Sequence, residues 1–308
     1  MPRLSQHGEV SNVVQPRVKV KWKKFSFPYL LLLPSLIIIF GVNIYPILHS
    51  LYISFFRYHL LFPRVVFNGL ENYRMVLKDP VFQASLLRTL YFVVVSISLE
   101  MLLGLIVALM LNENFKGRGL IRALIIIPWA IPTIVNGVLW RWIYQPNFGA
   151  LNGLLYQLGI IDSYKNWLAK PFLAMNMTIL ADAWHMTPFY VLLILAGLQG
   201  IPGSLYEAAR VDGASWFRQL WHITLPLLKP TFLVILVVRT IETFRVFDII
   251  YALTGGGPGD GTKVIGYYAY EQTFRFMDFG TGAAVSIIIT LSVLFLAVAY
   301  IRLLSTSD

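Results

Sequence analysis

Residues 207–214 read EAARVDGA, and nine residues after Gly213 the chain reads ITLP at 223–226. This polar stretch lies between two apolar segments that are each long enough to cross a membrane. It predicts an amphipathic helix, a turn at Asp212-Gly213 and a second short helix, with Ser204 and Glu207 spaced as a helix-capping box. A loop between membrane spans needs only to be short and polar. The structured element expected here therefore indicates a surface on which another protein docks.

The composition of the 308-residue chain indicates its class. Hydrophobic residues make up 57% and charged residues 13%, whereas soluble domains carry about 25% charged residues. This deficit predicts a polytopic membrane protein whose outer surface faces lipid. The net charge of +10 is then better explained by basic cytoplasmic loops than by nucleic-acid binding. The absence of cysteine excludes disulfides and thiol catalysis within the chain, and the histidines form no metal-binding spacing.

Apolar segments of roughly 20 residues are long enough for membrane-spanning helices. Six segments qualify, so the predicted fold is an all-α integral membrane protein with six transmembrane helices. The segments are approximately 28–56, 84–111, 120–143, 172–198, 229–252 and 281–303. Prolines inside them, including Pro128, Pro132 and Pro188, predict kinked helices around a polar cavity, because freed backbone groups need partners inside a bilayer.

The basic residues before the first span predict the orientation. Five lysines and arginines fall between Arg17 and Lys24, and such clusters usually stay in the cytoplasm. We therefore expect a multi-pass protein of the cytoplasmic (inner) membrane with cytoplasmic N- and C-termini. The expected parts are a basic tail at 1–27, a first span with an external loop at 28–83, and a core at 84–308 that contains the cytoplasmic loop 200–228. The outer loops 57–83, 144–171 and 253–280 are expected to hold short ordered pieces that receive an external partner.

The pattern E-A-A, three residues, G, nine residues, I-x-L-P resembles the cytoplasmic loop signature of the membrane subunits of bacterial and archaeal ABC importers. Every position of that signature is matched between Glu207 and Pro226. Further motifs resemble the maltose, trehalose and glycerol-phosphate type of sugar permease. These motifs are PWAIP at 128–132, WHMTPF at 184–189, FRVFD at 244–248 and LTGGGP at 253–258. The resemblance implies the type I ABC importer transmembrane fold.

The resemblance also implies a set of partner subunits. The loop helix would seat in a cleft of an ATPase subunit, whose closure around ATP would drive the permease from inward-open to outward-open. The chain lacks a G-x-x-x-x-G-K-[ST] phosphate loop, so no catalytic residue or cofactor is expected in it, and ATP and Mg would bind to the partners. Those partners would be a second related permease, two ATPase subunits and an extracytoplasmic solute-binding protein. The implied coupling residues are Glu207, Ala208, Ala209, Asp212, Gly213, Leu225 and Pro226.

Ionisable residues in the fifth predicted span indicate the transport path. Each costs about 2.5–3.5 kcal/mol or more near the bilayer centre, so it should be paired or face a cavity. The spacing predicts pairing of Arg239 with Glu242 and of Arg245 with Asp248. The resemblance implies that three helices hold the sugar. Its predicted contacts are Trp129, Thr133, Asn136, Asp182, Met186, Phe189, Arg239, Glu242, Thr243 and Val246.

Two further residues have structural interpretations, and the cargo remains open. Glu100 is interpreted as a helix-packing hydrogen bond, and His185 as a hydrogen-bonded structural histidine. The expected cargo is a sugar, such as the disaccharides trehalose or maltose, with glycerol phosphate or another polar solute as the alternative. A proton-coupled secondary transporter would also use intramembrane charges, but it would not need the structured cytoplasmic loop. A membrane enzyme would need a nucleophile or a metal cluster, and the sequence shows neither.

Overall fold

The computed structural model describes residues 23–62 and 64–305, so residues 1–22 of the predicted basic tail lie outside the described residues. The chain divides into two units between His49 and Ser50. In the first unit, helix α1 (Lys23–Ile38) continues through a π-helical turn (Ile39–Ile44) into α2 (Tyr45–Ile53). Pro46 lacks the N–H that a regular helix would use there, which explains the irregular turn before it. Residues Leu31–Ile53 are apolar and long enough to cross a membrane.

The second unit contains a small β-hairpin followed by thirteen helices in the described part of the chain. The strands are β1 (Phe56–Arg57) and β2 (Val66–Phe67), and the first helices are α3 (Glu71–Lys78), α4 (Pro80–Asn112), α5 (Arg118–Ile126), α6 (Thr133–Ile143), α7 (Ala150–Gln157) and α8 (Pro171–Gln199). The remaining helices are α9 (Gly203–Val211), α10 (Trp216–Gln219), α11 (Leu225–Leu227), α12 (Lys229–Phe244), α13 (Asp248–Leu253), α14 (Ile265–Tyr270) and α15 (Phe279–Ser305).

The hairpin is a small addition to the predicted helical fold. Its strands are antiparallel, with Phe56 opposite Phe67 and their ring centroids 5.4 Å apart. The side-chain amide of Asn72 donates to the carbonyls of Ser54 and Phe56, both at 2.8 Å. This buried asparagine therefore ties α3 to the start of the hairpin. Too few residues are involved for a period-2 pattern to be visible in the sequence.

The long helices α4 and α8 form the centre of the second unit. Helix α4 begins where the Asp79 side chain accepts from the Val81 amide at 2.8 Å and Pro80 occupies the first helical position. It contributes to three buried apolar clusters along its length. Gly104 lets α4 approach α8 closely, because a Cβ at this position would lie 2.5 Å from the Cβ of Tyr190. Small residues at such contacts are typical of helix packing in membranes.

Replacing Gly104 with alanine is expected to destabilise the protein by about 1–3 kcal/mol, because the added methyl group would force α4 and α8 apart. Thermal unfolding of the purified protein measures this. Gly119→Ala is the matched control, since nothing lies within 4 Å of the position its Cβ would take. Equal melting temperatures for the two variants would contradict the close packing at Gly104.

One predicted span, 120–143, is broken, and a second bend lies where the predicted loop 200–228 meets the fifth predicted span. In the described residues, four helices are long and apolar enough to cross a membrane, and the total reaches the predicted six when each of two bent helix pairs counts as one span. The first pair bends by 95° where a 3₁₀ turn (Pro128–Ala130) separates α5 from α6. The second pair bends by 60° between the segment Trp216–Leu227, which includes a π-helical turn at Leu220–Thr224, and α12.

The fifth predicted span, 229–252, also ends earlier than expected. Helix α12 stops at Phe244, and α13 begins only after three residues that include Phe247 in a non-helical conformation (φ −140°, ψ −55°). Helix α13 packs instead on α6, where a Cβ on Gly137 would lie 2.6 Å from the Cβ of Ala252. Charged residues at 242, 245 and 248 keep the three-residue spacing of a helix face across the break, so the sequence pattern alone did not show it.

The predicted helix, turn and second short helix are present in the loop 200–228, but the prediction is wrong at the first cap. Helix α9 begins at Gly203 after Pro202, without a side-chain cap, so Ser204 is inside the helix and forms no capping box. The rigid φ of proline sets the start of the helix in place of the serine. Gly213 stops the helix as predicted, in the left-handed conformation (φ +74°), with the amide of Ala214 bonded to the Ala209 carbonyl at 2.8 Å.

The loops at the opposite end contain short ordered elements, as predicted. Helix α7 lies in the loop 144–171, and α14 lies in the loop 253–280. Buried Asn152 organises the first of these loops. Its amide donates to the Lys165 carbonyl at 2.9 Å, and its Oδ1 accepts from the indole of Trp167 at 2.9 Å. A single side chain therefore holds two parts of this loop together.

Candidate functional site

A cavity of about 330 Å³ lies where the broken ends of α6 and α12 meet α8. Most of the residues predicted to contact the cargo line it. They are Trp129, Thr133, Asp182, Met186, Arg239, Glu242, Thr243 and Val246. The helix breaks explain why these residues reach the cavity, because the 3₁₀ turn carries Trp129 and the break after α12 carries Val246. Val246 therefore reaches the cavity from a loop rather than from the helix face that the spacing predicted.

Two predicted contact residues stand outside the cavity wall. The Phe189 ring packs against Trp129 from behind, with centroids 5.9 Å apart. Asn136 is fully buried, and its side-chain amide donates to the Ala181 carbonyl at 3.2 Å. Phe189 thus supports an aromatic wall, and Asn136 fastens α6 to α8.

His185 has the structural role that the sequence analysis assigned to it. Its Nε2 lies 2.8 Å from the carbonyl oxygen of Ile131, a residue in extended conformation within the α5–α6 break. A carbonyl freed by a helix break inside a membrane needs a partner. His185 supplies that partner while its ring also lines the cavity.

The central feature of the cavity is the guanidinium of Arg239, which is 4% exposed. It contacts three carboxylates from three helices. Nη2 lies 3.0 Å from Glu100 Oε1 and 3.2 Å from Asp182 Oδ2, and Nη1 lies 3.2 Å from Glu242 Oε2. The predicted Arg239–Glu242 pair is therefore confirmed as the outermost part of a larger network. With every group ionised, this network carries more negative than positive charge.

Glu100 is a stronger partner than the sequence analysis expected. It is fully buried on α4 and receives hydrogen bonds from both Nε and Nη2 of Arg239, at 3.0–3.2 Å. Its identification as a packing hydrogen bond was correct in kind, but its partner was missed. A signal was present, because polar and small residues recur on this face of α4 at helical spacing. They are Ser85, Thr89, Ser96, Glu100 and Gly104, all buried or in close contact.

The second predicted pair, Arg245 with Asp248, is wrong. Because α12 ends at Phe244, these residues do not share a helix face. Asp248 instead accepts from the Thr133 hydroxyl at 2.8 Å, and Arg245 donates from Nε to the Ile241 carbonyl at 3.2 Å. Thr133 and Asp248 are the first residues of α6 and α13. Two helix N-termini, which carry partial positive charge, therefore meet at the cavity.

A second candidate surface lies at the end of α8, on the segment from α9 to α11. Among the predicted coupling residues, Glu207, Ala208, Asp212, Gly213 and Pro226 are exposed, whereas Ala209 and Leu225 are half-buried. The Tyr206 hydroxyl lies 3.0 Å from the hydroxyl of buried Thr224 and joins the two parts of the segment. The sequence analysis did not identify this contact.

Large apolar side chains on this segment face outward. Val211 is 88% exposed, and Trp216, Phe217 and Trp221 are also exposed. Exposed apolar groups of this kind mark a contact with another protein or with the membrane. The geometry therefore fits the docking surface that the sequence predicts between Glu207 and Pro226.

Comparison with known families gives a match over most of the second unit. Residues 100–306 match the family described as the inner membrane component of binding-protein-dependent transport systems. The matched region includes the cavity, the Arg239 network and the segment from α9 to α11.

Several curated proteins resemble the chain along nearly its whole length. It is 45% identical over 284 residues to the trehalose/maltose transport system permease protein MalF of Thermococcus litoralis, covering 92% of this chain and 95% of the relative. It is 36% identical over 276 residues to the trehalose transport system permease protein SugA of Mycobacterium tuberculosis, covering 89% and 87% of the two chains.

A solved structure has a similar fold. A chain from a bacterial ABC transporter involved in the import of the acidic polysaccharide alginate matches with a TM-score of 0.80 and 23% identity, covering 93% of this chain and 97% of that one. At this identity the likeness applies to the fold alone, and it agrees with the predicted type I importer architecture.

Proposed function

The chain belongs to the family of inner membrane components of binding-protein-dependent transport systems, and on this premise we propose that it is the permease subunit of an ABC importer for a sugar. The observation that carries the proposal is the cavity lined by Trp129, Thr133, Asp182 and Glu242 at the helix breaks. The relatives named for trehalose and maltose transport support a disaccharide cargo.

The cavity wall has the chemistry that a sugar needs. The indole of Trp129 is 43% exposed and offers a flat face to sugar C–H groups. The Glu242 carboxylate is 46% exposed, and one of its oxygens meets Arg239. Its other oxygen can accept a hydrogen bond from a sugar hydroxyl. The remaining sides of the cargo would contact the second permease subunit.

The state of Arg239 argues against glycerol phosphate as cargo. A phosphate group would need a free cationic donor, but the Arg239 guanidinium already meets Glu100, Asp182 and Glu242. Arg245 is exposed at the cavity, but Asp248 and Glu242 line the same space. An uncharged sugar fits this wall better than an anion.

We further propose that ATP and Mg bind only to the ATPase partners. Two ATPases would dock on the two permeases, and the segment from α9 to α11 is the surface that this chain offers. An extracytoplasmic solute-binding protein would deliver the sugar at the loops that hold α7 and α14. This arrangement places the segment from α9 to α11 and both termini in the cytoplasm.

Uptake in proteoliposomes tests the function. The purified complex would be reconstituted with ATP inside and the solute-binding protein outside, and supplied with labelled trehalose, maltose, glucose or glycerol phosphate. We expect ATP-dependent uptake of one disaccharide and none of glycerol phosphate. Uptake driven by a proton gradient without ATPase subunits would overturn the proposal.

Replacing Trp129 with alanine is expected to raise the KM for sugar uptake about tenfold, because loss of the aromatic face removes roughly 1–2 kcal/mol of stacking and apolar contact. The KM is measured from initial uptake rates at varied concentrations of sugar-loaded binding protein. Trp142→Ala is the control, since Trp142 is exposed on α6 and does not line the cavity. A KM that rises equally in both variants would exclude a specific role for Trp129.

A further inference from the structure

A second cavity, of about 240 Å³, lies at the end of the molecule opposite the segment from α9 to α11. Its wall is formed by Leu87, Arg88 and Tyr91 of α4, Phe172 and Met175 of α8, and Gly261. The lining is apolar except for Arg88 and the phenol of Tyr91. The Tyr91 hydroxyl is already bonded to Asn176 at 2.9 Å. Arg88 is therefore the polar group available inside this cavity.

The guanidinium of Arg88 lacks a counter-ion. Within the described residues it forms no ion pair or hydrogen bond, and its Nη1 is buried from solvent. Arg88 as a whole is half-buried, and its one buried charged nitrogen without a partner costs free energy. The position therefore calls for an anion that the described part of the chain does not provide.

The depth of Arg88 along α4 matches the level of lipid phosphates. Between Arg88 and Asn112, where α4 ends, lie 24 helical steps, which span about 36 Å. The hydrocarbon core of a bilayer is about 30 Å thick. If the end of α4 at Asn112 lies at one membrane surface, Arg88 lies at the headgroup region of the other.

The rim of the cavity has the character of a lipid-facing surface. Leu87 is 68% exposed and Phe172 is 72% exposed, on either side of the opening. A phosphate at Arg88 would thus have a cation on its polar side and apolar side chains where acyl chains would run.

We infer that the cavity at Arg88 is a binding site for one anionic phospholipid of the outer leaflet. The Arg88 guanidinium holds the phosphate, and Leu87, Tyr91 and Phe172 contact the first part of the acyl chains. Charge complementarity selects an anion, and the surrounding bilayer supplies it at this depth. The site is separate from the Arg239 cavity and does not depend on the identity of the cargo.

Native mass spectrometry of the delipidated complex tests this site. The complex is titrated with dioleoyl phosphatidylglycerol or with dioleoylglycerol, which has the same chains but no phosphate. We expect one phosphatidylglycerol per permease chain, bound at least tenfold more tightly than dioleoylglycerol. Arg88→Gln should weaken phosphatidylglycerol binding at least tenfold, whereas Arg88→Lys should keep most of it and Phe172→Ala should weaken both lipids.

The control variant is Arg57→Gln, which removes an exposed arginine of β1 at the same end of the molecule. It should leave phosphatidylglycerol binding unchanged. Equal affinity of wild type and Arg88→Gln would overturn the inference. Displacement of the lipid by about 10 mM inorganic phosphate, a concentration far above that of the lipid in the assay, would also overturn the inference. The site would then bind free anions.

Discussion

Replacing Arg239 with methionine is expected to lower the melting temperature of the purified complex by roughly 10 °C. The guanidinium is 4% exposed and is the cation shared by Glu100, Asp182 and Glu242. Removing one partner of a buried ion pair costs about 3–5 kcal/mol, because the other charge is left uncompensated. A protein of this size loses about 2–4 °C per kcal/mol.

Three further variants separate the network from a general loss of charge. Arg245→Met is the matched control, since Arg245 is exposed and its side chain donates to a backbone carbonyl. The double variant Arg239→Met with Glu100→Met should recover part of the loss, because an apolar replacement of a buried pair is often tolerated. Glu242→Gln should have little effect, since Glu242 is 46% exposed. If the Arg239→Met and Arg245→Met variants have the same melting temperature, the network does not stabilise the fold.

Replacing Gly213 with valine is expected to reduce ATP-driven uptake at least tenfold while changing the melting temperature little. Gly213 is exposed and has a φ of +74°, and nothing lies within 4 Å of the position its Cβ would take. A side chain therefore has space but meets backbone strain of about 1–2 kcal/mol. Relief of this strain would change the angle between α9 and α10 and misalign the surface that we propose meets the ATPase.

Binding-protein-stimulated ATP hydrolysis and sugar uptake, measured in the same proteoliposomes, check this second expectation. Gly203→Ala is the control, since it lies in the same segment with open space and without a positive φ. Gly213→Asn should be intermediate, because asparagine tolerates the left-handed conformation better than other side chains do. Wild-type uptake by Gly213→Val would show that the turn is not needed for coupling.

The parts of the fold that depend on local patterns were predictable from the sequence. The stop at Gly213 follows from the conformational freedom of one residue, and its left-handed φ confirms it. Long apolar runs predicted the spans. The capping box at Ser204 failed because Pro202 sets the start of α9 instead. Two locally favourable patterns competed there, and only the backbone shows which one prevails.

The parts that depend on distant contacts were not predictable. Glu100 and Arg239 are 139 positions apart, and no local sequence pattern near either residue indicates that they pair. The break after Phe244 is equally hidden, because Glu242, Arg245 and Asp248 keep helical spacing across it, and a helix can end where another helix offers a better surface. Here α6 offers that surface to α13 through Gly137. Most of the predicted cargo residues nevertheless line one cavity, and their role in sugar binding stays a prediction.

Helix α12 begins two residues after Leu227, the end of the exposed segment that starts at α9, and it carries Arg239 about 15 Å further along its axis. Helix α12 is therefore joined through a 60° bend to the exposed segment and also forms a wall of the cavity. Helix α8, which carries Met186, ends just before the same segment. A change in cargo preference made on α8 or α12 would also alter how motion is transmitted to the cavity. Selection for a new sugar should accordingly accumulate changes at Trp129 and Thr133 before any appear on these two helices.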